Sequence, residues 1–310
     1  MKLSEVKRKP HTGGSFGTVI LLCVSLLSVS AAGGCGDNQP VSEAPGVTTI
    51  SRSAAKPGQR ETITVGLPGL PEGATKLEMV LVEPGTFTMS SPKYDSNNPD
   101  TGWPPHTVTI SKPFHIGRYE VTQAQWEVVM GEGSHHSKYR PQPDNPVEKV
   151  SWFNCQLFLR KLNKLGMGTF RLPTEAEWEY ACRAGTNTLY SFGDGPENAG
   201  DFMWWSGNNN PDGTKKVGSK QPNAWGLYDM HGNVCEWCSE KWVRPFKRTS
   251  YTDPQRAPSP LTYMLLLRRR IFKGGGFGYV ADECRTASRF YEQSIDFHFT
   301  IGLRLVRECD

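Results

Sequence analysis

The sequence lacks the short motifs that mark several large classes of protein. Beyond residue 35 it has no Gly-x-Ser-x-Gly nucleophile elbow and no phosphate-cradling glycine loop. Its one Cys-x-x-Cys, Cys235 to Cys238, has no second copy to complete a zinc site, and we expect both cysteines to be buried or disulfide-bonded. The net charge of +4 is small for 310 residues, and no long basic pattern is present. A nucleic acid is therefore not an expected partner.

The N-terminus has the three parts of an export signal. Basic residues between positions 2 and 9 precede an apolar run, Val19 to Val29, and small residues then lead to Cys35. This pattern resembles a bacterial lipobox, in which the cysteine is lipidated after cleavage. The alternative is ordinary signal-peptidase cleavage, which leaves Cys35 as a free or paired thiol. We predict an export signal over 1–34 and an exported, membrane-anchored lipoprotein of a bacterial cell envelope, whose only membrane contact is the lipid on Cys35.

The rest of the chain divides into a linker and one domain. Residues 35–72 are rich in Pro, Gly, Ser, Ala and Thr and show no apolar periodicity, which predicts a flexible tether. The folded domain is predicted over 73–310. Within it, Lys76–Ser90 carries Pro84-Gly85 between two apolar runs, which predicts a β-hairpin. The alternation in His106–Ile116 predicts a further strand.

Three helices are predicted. Capping boxes that begin at Thr122 and Thr174 open the first and the third. The second covers Trp152–Leu165, where apolar residues recur at helical spacing. About three helices, short strands and long loops that carry buried aromatic residues favour an α+β fold with much ordered loop.

The segment Asn223–Trp242 combines tryptophan with glycine and asparagine, so we expect a buried, irregular loop. Such a loop must satisfy its polar backbone groups internally or through an ion. Asp229 and Glu236 could supply carboxylate oxygens to Ca²⁺, with the carbonyl groups of Gly232 and Val234 completing the shell. The alternative is that both acids cap turns or pair with arginines.

Seven blocks of sequence follow one another between residues 75 and 308. They are MVLVEPGTFTM at 79–89, GRYEVTQAQW at 117–126, NPVEKVSW at 145–152, RLPTEAEWEYACRAGT at 171–186, GLYDMHGNVCEW at 226–237, KGGGF at 273–277 and IGLRLVR at 301–307. In this order they resemble the formylglycine-generating-enzyme family, also called sulfatase-modifying-factor domains. The resemblance implies the fold of that family, which is related to the C-type lectin architecture.

The resemblance also implies sites. It places a second calcium site at the side chain of Asn198 and the carbonyl group of Ala199; the alternative for Asn198 is an Asx-turn. The enzymes of the family use oxygen to oxidise a cysteine in a CxPxR-type sulfatase segment to formylglycine. They do so at a copper ion held by two thiolates, the soft ligands that Cu(I) favours.

The expected copper position departs from the family pattern. Counted from the block that ends at Phe277, the first cysteine position is Tyr279 and the second is Cys284. A phenol, with an ordinary pKa of about 10, is a poor substitute for a thiolate. Cys284 could therefore form a structural disulfide with Cys182, remain a free buried thiol, or keep a redox or copper role.

Three functional hypotheses follow. The first is a calcium-stabilised binding or scaffold module that recognises a protein, a peptide or a cell-envelope component. The second is a copper-dependent formylglycine-generating oxidase whose second thiol comes from elsewhere in the chain. The third is an enzyme of other chemistry, with Tyr279, Asp282, Arg285 and Arg289 lining the same cleft.

Overall fold

A computed structural model describes residues 50–53, 60–91, 104–242, 250–254 and 269–309. The predicted export signal and Cys35 lie outside these residues. The strands are β1 (Ile50–Ser53), β2 (Thr62–Val65), β3 (Leu77–Val82), β4 (Gly85–Met89), β5 (His106–Ile110), β6 (Phe114–Gly117), β7 (Phe170–Arg171), β8 (Cys235–Lys241), β9 (Ser250–Thr252), β10 (Arg269–Lys273), β11 (Phe290–Gln293), β12 (Ile301–Gly302) and β13 (Val306–Glu308). The helices are α1 (Gln123–Met130), α2 (Trp152–Asn163), α3 (Glu175–Arg183), α4 (Ala199–Phe202) and a 3-10 helix, Ala281–Cys284. This content confirms the α+β prediction.

The largest sheet has six strands in the order β1-β2-β3-β6-β13-β7, and all neighbouring pairs are antiparallel. Its first two strands fall inside the tether predicted over 35–72. In β2, Ile63 and Val65 are buried and alternate with threonines that are half-buried, which is the pattern of a strand with one face on the core. The ordered sheet therefore begins before the predicted boundary at residue 73.

The prediction of a β-hairpin over Lys76–Ser90 is wrong. Strands β3 and β4 both form, but β3 pairs with β2 and β6, whereas β4 pairs with β5 in a three-stranded sheet of order β4-β5-β9. Pro84-Gly85 therefore joins two sheets. A turn dipeptide fixes the local backbone but does not decide with which strand the next segment pairs.

A third sheet has the order β11-β10-β8-β12. Strand β8 lies at its centre, antiparallel to β10 and parallel to β12. Its first four residues, Cys235–Cys238, are all buried, so this part of the strand is covered on both faces. The parallel pair brings the start of β8 against Thr300, whose carbonyl group accepts a hydrogen bond from the Cys235 amide at 2.7 Å.

All three predicted helices form. The capping boxes at Thr122 and Thr174 are present, and Ser151 forms a third with Asn154 at the start of α2. The short helix α4 was not predicted. In the described ranges, no helix has both the length and the apolar character needed to span a bilayer.

The buried apolar residues form two large clusters on either side of β8. The first core includes Trp126, Phe158, Trp237 and Leu303. The second core includes Val108, Trp178, Cys238 and Ile271. A smaller cluster packs Tyr190, Met203 and Cys284 under the loops that connect α3 to β8.

Candidate functional site

The prediction of one buried, irregular loop over Asn223–Trp242 holds only up to Val234, because the second part of this segment forms strand β8 (Cys235–Lys241). The loop that precedes β8 satisfies much of its backbone internally. Asn223 holds its start: the side-chain amide donates to the carbonyl groups of Ala181 and Cys182, and the side-chain oxygen accepts from the amides of Trp225 and Leu227. These four contacts fix the loop against the end of α3.

Backbone conformation in this loop depends on residues that tolerate positive φ. Asp229 (φ 55°), Gly232 (φ 76°) and Asn233 (φ 53°) are all left-handed. At Gly232 a Cβ atom would collide with the carbonyl group of Trp204. Glycine is therefore required there by both conformation and space.

Glu236 lies in a fully buried ion pair. Both of its carboxylate oxygens accept from Arg304, at 2.7 to 3.0 Å, and the indole of Trp178 donates to Oε2 at 2.6 Å. The two side chains of the pair are 0% exposed. Glu236 is thus paired with an arginine. This pairing is the alternative to calcium binding that the sequence left open.

Asp229 is buried but only half satisfied. Its Oδ2 accepts from the amide of Gly218 at 2.7 Å, whereas its Oδ1 is buried and has no hydrogen-bond partner within the described part of the chain. Burial raises the pKa of Asp229 to about 6.

Glu120 is a third carboxylate in this region. It lies in the block at 117–126 that resembles the family, but no spacing pattern in the sequence marks it as a site residue. It accepts from the side-chain amide of Asn233 at 2.7 Å and from the backbone amide of Val234 at 3.0 Å. Burial, and then the charges of Asp229 and Glu236, raise the pKa of Glu120 well above its usual range. We call Glu120, Asp229, Glu236 and Arg304 the buried acidic cluster.

The buried acidic cluster does not, as it stands, present a complete calcium shell. Among the described residues, no group of three or more His, Cys, Asp or Glu side chains is arranged to hold a metal ion. The free oxygen of Asp229 suits a hard cation, but Glu236 would have to leave Arg304 to join it. Calcium binding by Asp229, Gly232, Val234 and Glu236 therefore stays a prediction.

The second calcium position is equally incomplete. Asn198 is exposed, and its side chain makes no capping hydrogen bond to the start of α4. The Asx-turn alternative therefore has no supporting hydrogen bond either. The carbonyl group of Ala199 already accepts from the amide of Met203 at 2.9 Å. Calcium at Asn198 and Ala199 stays a prediction.

Cys284 lies at the end of the 3-10 helix with 0% exposure. Burial, together with the charge of Glu283, raises the pKa of the Cys284 thiol to about 12. A Cβ atom at Gly275 would lie 2.5 Å from this sulfur. The thiol is therefore neutral and tightly enclosed.

Tyr279 lies in the same region as a thiol that sequence spacing did not bring into the site. Its ring packs against the first core, which includes Cys235, and against the smaller cluster, which includes Cys284. The charge of Cys235 and burial raise the pKa of Tyr279. Burial and the charge of Cys284 in turn raise the pKa of Cys235. The structure thus places Cys235, Tyr279 and Cys284 in one region, which we call the thiol–phenol site.

The thiol–phenol site does not fit a cuprous ion in this arrangement. Coordination by two sulfurs requires two thiolates, whereas here both thiols are buried and neutral, and the Tyr279 ring packs against the clusters that contain them. The only sequence signal for Cys235 was its Cys-x-x-Cys spacing. Since residues three apart on a strand point to opposite faces, Cys235 and Cys238 belong to different cores.

The disulfide expected as one alternative for Cys182 and Cys284 is absent, because both are free thiols. The imidazole of His231 contacts both residues: its Nδ1 donates to the Cys284 carbonyl group at 2.7 Å, and its Nε2 is 3.6 Å from the Cys182 sulfur. Burial lowers the pKa of His231 to about 4, so the ring is neutral. Among the described residues, the six cysteines are all free thiols.

The remaining residues of the third hypothesis do not converge on Tyr279. Arg285 pairs with Asp282 across one turn at 2.6 Å. Arg289 is instead buried in an ion pair with Glu175 at 2.5 Å, at the start of α3. These contacts are structural and assemble no set of catalytic groups with Tyr279.

Fold and site together define a class: a mixed α+β domain with a signature loop, residues 223–234, before β8 and a buried thiol, Cys284, at the end of the 3-10 helix. The model of the sulfatase-modifying factor enzyme 1-like domain matches residues 68–309. The chain therefore belongs to this FGE-sulfatase family.

Three known proteins illustrate the range of the family. Chaperone protein LppX of Paenibacillus barcinonensis is 34% identical, over 74% of this chain and 89% of its own. The formylglycine-generating enzyme of Bos taurus is 27% identical, over 80% and 78%. Among solved structures, Treponema denticola variable protein 1 superposes with a TM-score of 0.67 at 26% identity, over 80% of this chain and 99% of that one. Membership therefore does not decide between catalysis and binding.

Proposed function

We propose that the protein is a non-oxidising, polypeptide-binding member of its family. The observation that carries this proposal is the thiol–phenol site. Where two thiolates would be needed, Tyr279 packs against the clusters that contain Cys235 and Cys284, and the Cys284 thiol is enclosed and neutral. The similarity to a chaperone supports a polypeptide as the partner. The partner we infer is an exposed apolar segment of another cell-envelope protein.

The surface that suits such a partner is formed by the start of α2 and the loop before β12. Phe153, Ile295 and Phe297 are 39%, 41% and 55% exposed. The amide of Phe153 donates to the Ser294 carbonyl group, and the amide of Lys149 donates to the His298 carbonyl group, so the two segments lie side by side. We call Phe153, Ile295 and Phe297 the apolar surface. Neighbouring exposed apolar side chains are a feature of protein-binding sites.

The binding proposal is tested with the mature protein and a reporter protein that aggregates on heating. Ile295→Ser and Phe297→Ser should each reduce the suppression of light scattering. Ile50→Ser is the matched control, since Ile50 is 38% exposed on β1, away from the apolar surface. Absence of suppression by the unmodified protein, or equal suppression by all three variants, would contradict the proposal.

The absence of oxidation is tested separately. The protein is incubated with a CxPxR peptide, cuprous ion and oxygen, and the peptide mass is measured, with the enzyme of Bos taurus as the positive control. We expect an unmodified peptide. Formation of the aldehyde would reject a non-oxidising function and leave the result of the binding assay to stand by itself.

The second candidate is a copper-dependent oxidase that uses Cys235 and Cys284. The observation that favours it is that Tyr279 packs against both the cluster that contains Cys235 and the cluster that contains Cys284. Competition with a coloured Cu(I) chelator measures this affinity. Tight binding that is lost in both Cys235→Ser and Cys284→Ser would favour the oxidase. Weak binding that Tyr279→Cys strengthens would support the assigned positions and the present inactivity.

We further propose that the mature protein is exported and anchored through lipid on Cys35. The support is the sequence alone: basic residues, an apolar run and small residues precede this cysteine. Metabolic labelling with a radioactive fatty acid should mark the protein, and Cys35→Ala should abolish the label. A labelled Cys35→Ala variant would place the modification elsewhere.

A further inference from the structure

A cavity of about 260 Å³ lies apart from the sites described above. It is formed by β2, β3, the residue that follows β6, and the start of the signature loop. Its walls include Arg60, Thr62, Val80, Arg118, Trp225 and Tyr228. None of these residues belongs to the thiol–phenol site, the buried acidic cluster or the apolar surface. We call it the arginine pocket.

Both arginines of the pocket are held against aromatic rings. The guanidinium carbon of Arg60 lies 3.8 Å from the ring centroid of Trp225, and that of Arg118 lies 5.2 Å from the centroid of Tyr228. Cation–π contacts of this kind fix the plane of a guanidinium group while leaving its edges free to donate. The backbone amide of Trp225 donates to the side-chain oxygen of Asn223 at 3.0 Å, which fixes the backbone that carries this ring.

The hydrogen-bond donors of these arginines are only partly used. Arg60 donates from Nη1 to the Leu81 carbonyl group at 3.3 Å. Arg118 donates from Nη1 to Glu78 at 2.9 Å, whereas its Nε is buried and has no hydrogen-bond partner in the described structure. A guanidinium group has five N–H donors. The donors of the pair that are neither bonded nor buried therefore remain available to a ligand, and the buried Nε of Arg118 is not one of them.

The charge of the pocket is positive. Its described wall residues include two arginines and no acidic residue. Glu78 neutralises part of Arg118 from outside the wall, and Glu83 acts on Arg60 from a distance. Planar guanidinium groups are suited to bidentate recognition of carboxylate and phosphate. Val80 and the ring of Tyr228 add an apolar side to the same cavity.

We propose that the arginine pocket binds an oxyanion, a carboxylate or a phosphate, whose small apolar body rests against Val80 and Tyr228. The cavity is slightly smaller than the roughly 300 Å³ at which pockets for drug-sized ligands begin. The ligand is therefore a small molecule or the end of a chain that inserts one or two groups. This inference does not depend on the function proposed above.

Isothermal titration calorimetry on the mature protein tests the site, with benzoate, inorganic phosphate and an acidic peptide ending in Phe-Asp as three separate probes. Saturable binding of benzoate identifies a free carboxylate as the ligand. Saturable binding of the peptide identifies a carboxylate that is carried on a polypeptide. Binding of phosphate alone identifies a phosphate source. Each of these results supports the proposal, and no saturable binding of any probe up to about 10 mM, a very weak affinity, overturns it.

Variants then locate the binding. Arg60→Gln should weaken the affinity about tenfold or more, the usual effect of losing a charge-assisted hydrogen bond. Arg160→Gln, which removes an exposed arginine from α2, is the matched control and should have no effect. Glu78→Gln should tighten binding, because Arg118 loses its competing partner. Unchanged affinity in both Arg60→Gln and Glu78→Gln would reject the arginine pocket even if a probe binds.

Discussion

Replacement of Arg304 by methionine should test the buried acidic cluster most directly. Arg304 is fully buried and donates to Glu236 and to the carbonyl groups of Gly117 and Tyr228. Methionine retains an apolar stem of similar length but has no charge and no donor. The variant would leave Glu236 beside Asp229 and Glu120 without the one cation of the cluster.

The expected loss follows from the burial of the pair. Removing one partner of a buried ion pair typically destabilises a protein by about 3–5 kcal/mol, because the other charge stays buried and unpaired. This is a large fraction of the roughly 5–15 kcal/mol by which a domain is stable. An exposed arginine replaced in the same way, Arg160→Met on α2, should change the free energy of unfolding by less than about 0.5 kcal/mol.

The loss should depend on pH. Burial raises the pKa of Asp229 to about 6 and raises that of Glu120, so the folded state favours their protonated forms. Stability that is present at low pH is then lost as the pH rises through these folded-state pKa values. Without Arg304 both values should rise further. The difference between the unmodified protein and Arg304→Met should therefore widen from pH 5 to pH 8.

Urea unfolding followed by tryptophan fluorescence at pH 5 and pH 8 measures both effects. Adding Glu236→Gln to Arg304→Met should recover part of the loss, because the neutral amide can still accept from Trp178. A loss below about 1 kcal/mol, equal at both pH values, would refute the assignment of an ionised, buried pair.

Three further predictions concern the same domain. A calcium chelator should lower the melting temperature, and Asp229→Ala or Glu236→Ala should abolish the difference; an unchanged melt would leave both acids with structural roles only. Burial and the charge of Glu175 raise the pKa of Glu240 to about 8, so the free energy of unfolding should fall as the pH rises from 6 to 9. It should fall less in Glu240→Gln, and equal slopes of the free energy of unfolding against pH in the two proteins would contradict this. Gly232→Ala should cost more than about 2 kcal/mol, from strain and a collision with Trp204, and more than Gly226→Ala, where φ is +81° but the space is open.

Local structure was predictable where the signal lies within a few residues. The capping boxes at Thr122 and Thr174 located two helix starts, because both partners of each box are three residues apart. Alternation located β5, in which Val108 and Ile110 are buried and Thr107 is exposed. The blocks that resemble the family indicated the fold as a whole.

Contacts between distant segments were not predictable in the same way. Pro84-Gly85 predicts the turn of a hairpin, although the strands on either side enter different sheets. Glu120 lies in a block that resembles the family, but no spacing pairs it with Asn233, which it reaches only through the tertiary fold. Tyr279 packs against the first core, which contains Cys235, and no local spacing encodes that proximity.

The position of β8 has a consequence for how the domain unfolds. Trp237 faces the first core and Cys238 the second, so adjacent residues of one strand contribute to both. A strand that contributes side chains to both cores cannot unfold together with only one of them. Neither half of the domain should survive as a separate fragment, and amide exchange in β8 should proceed only when the whole domain opens.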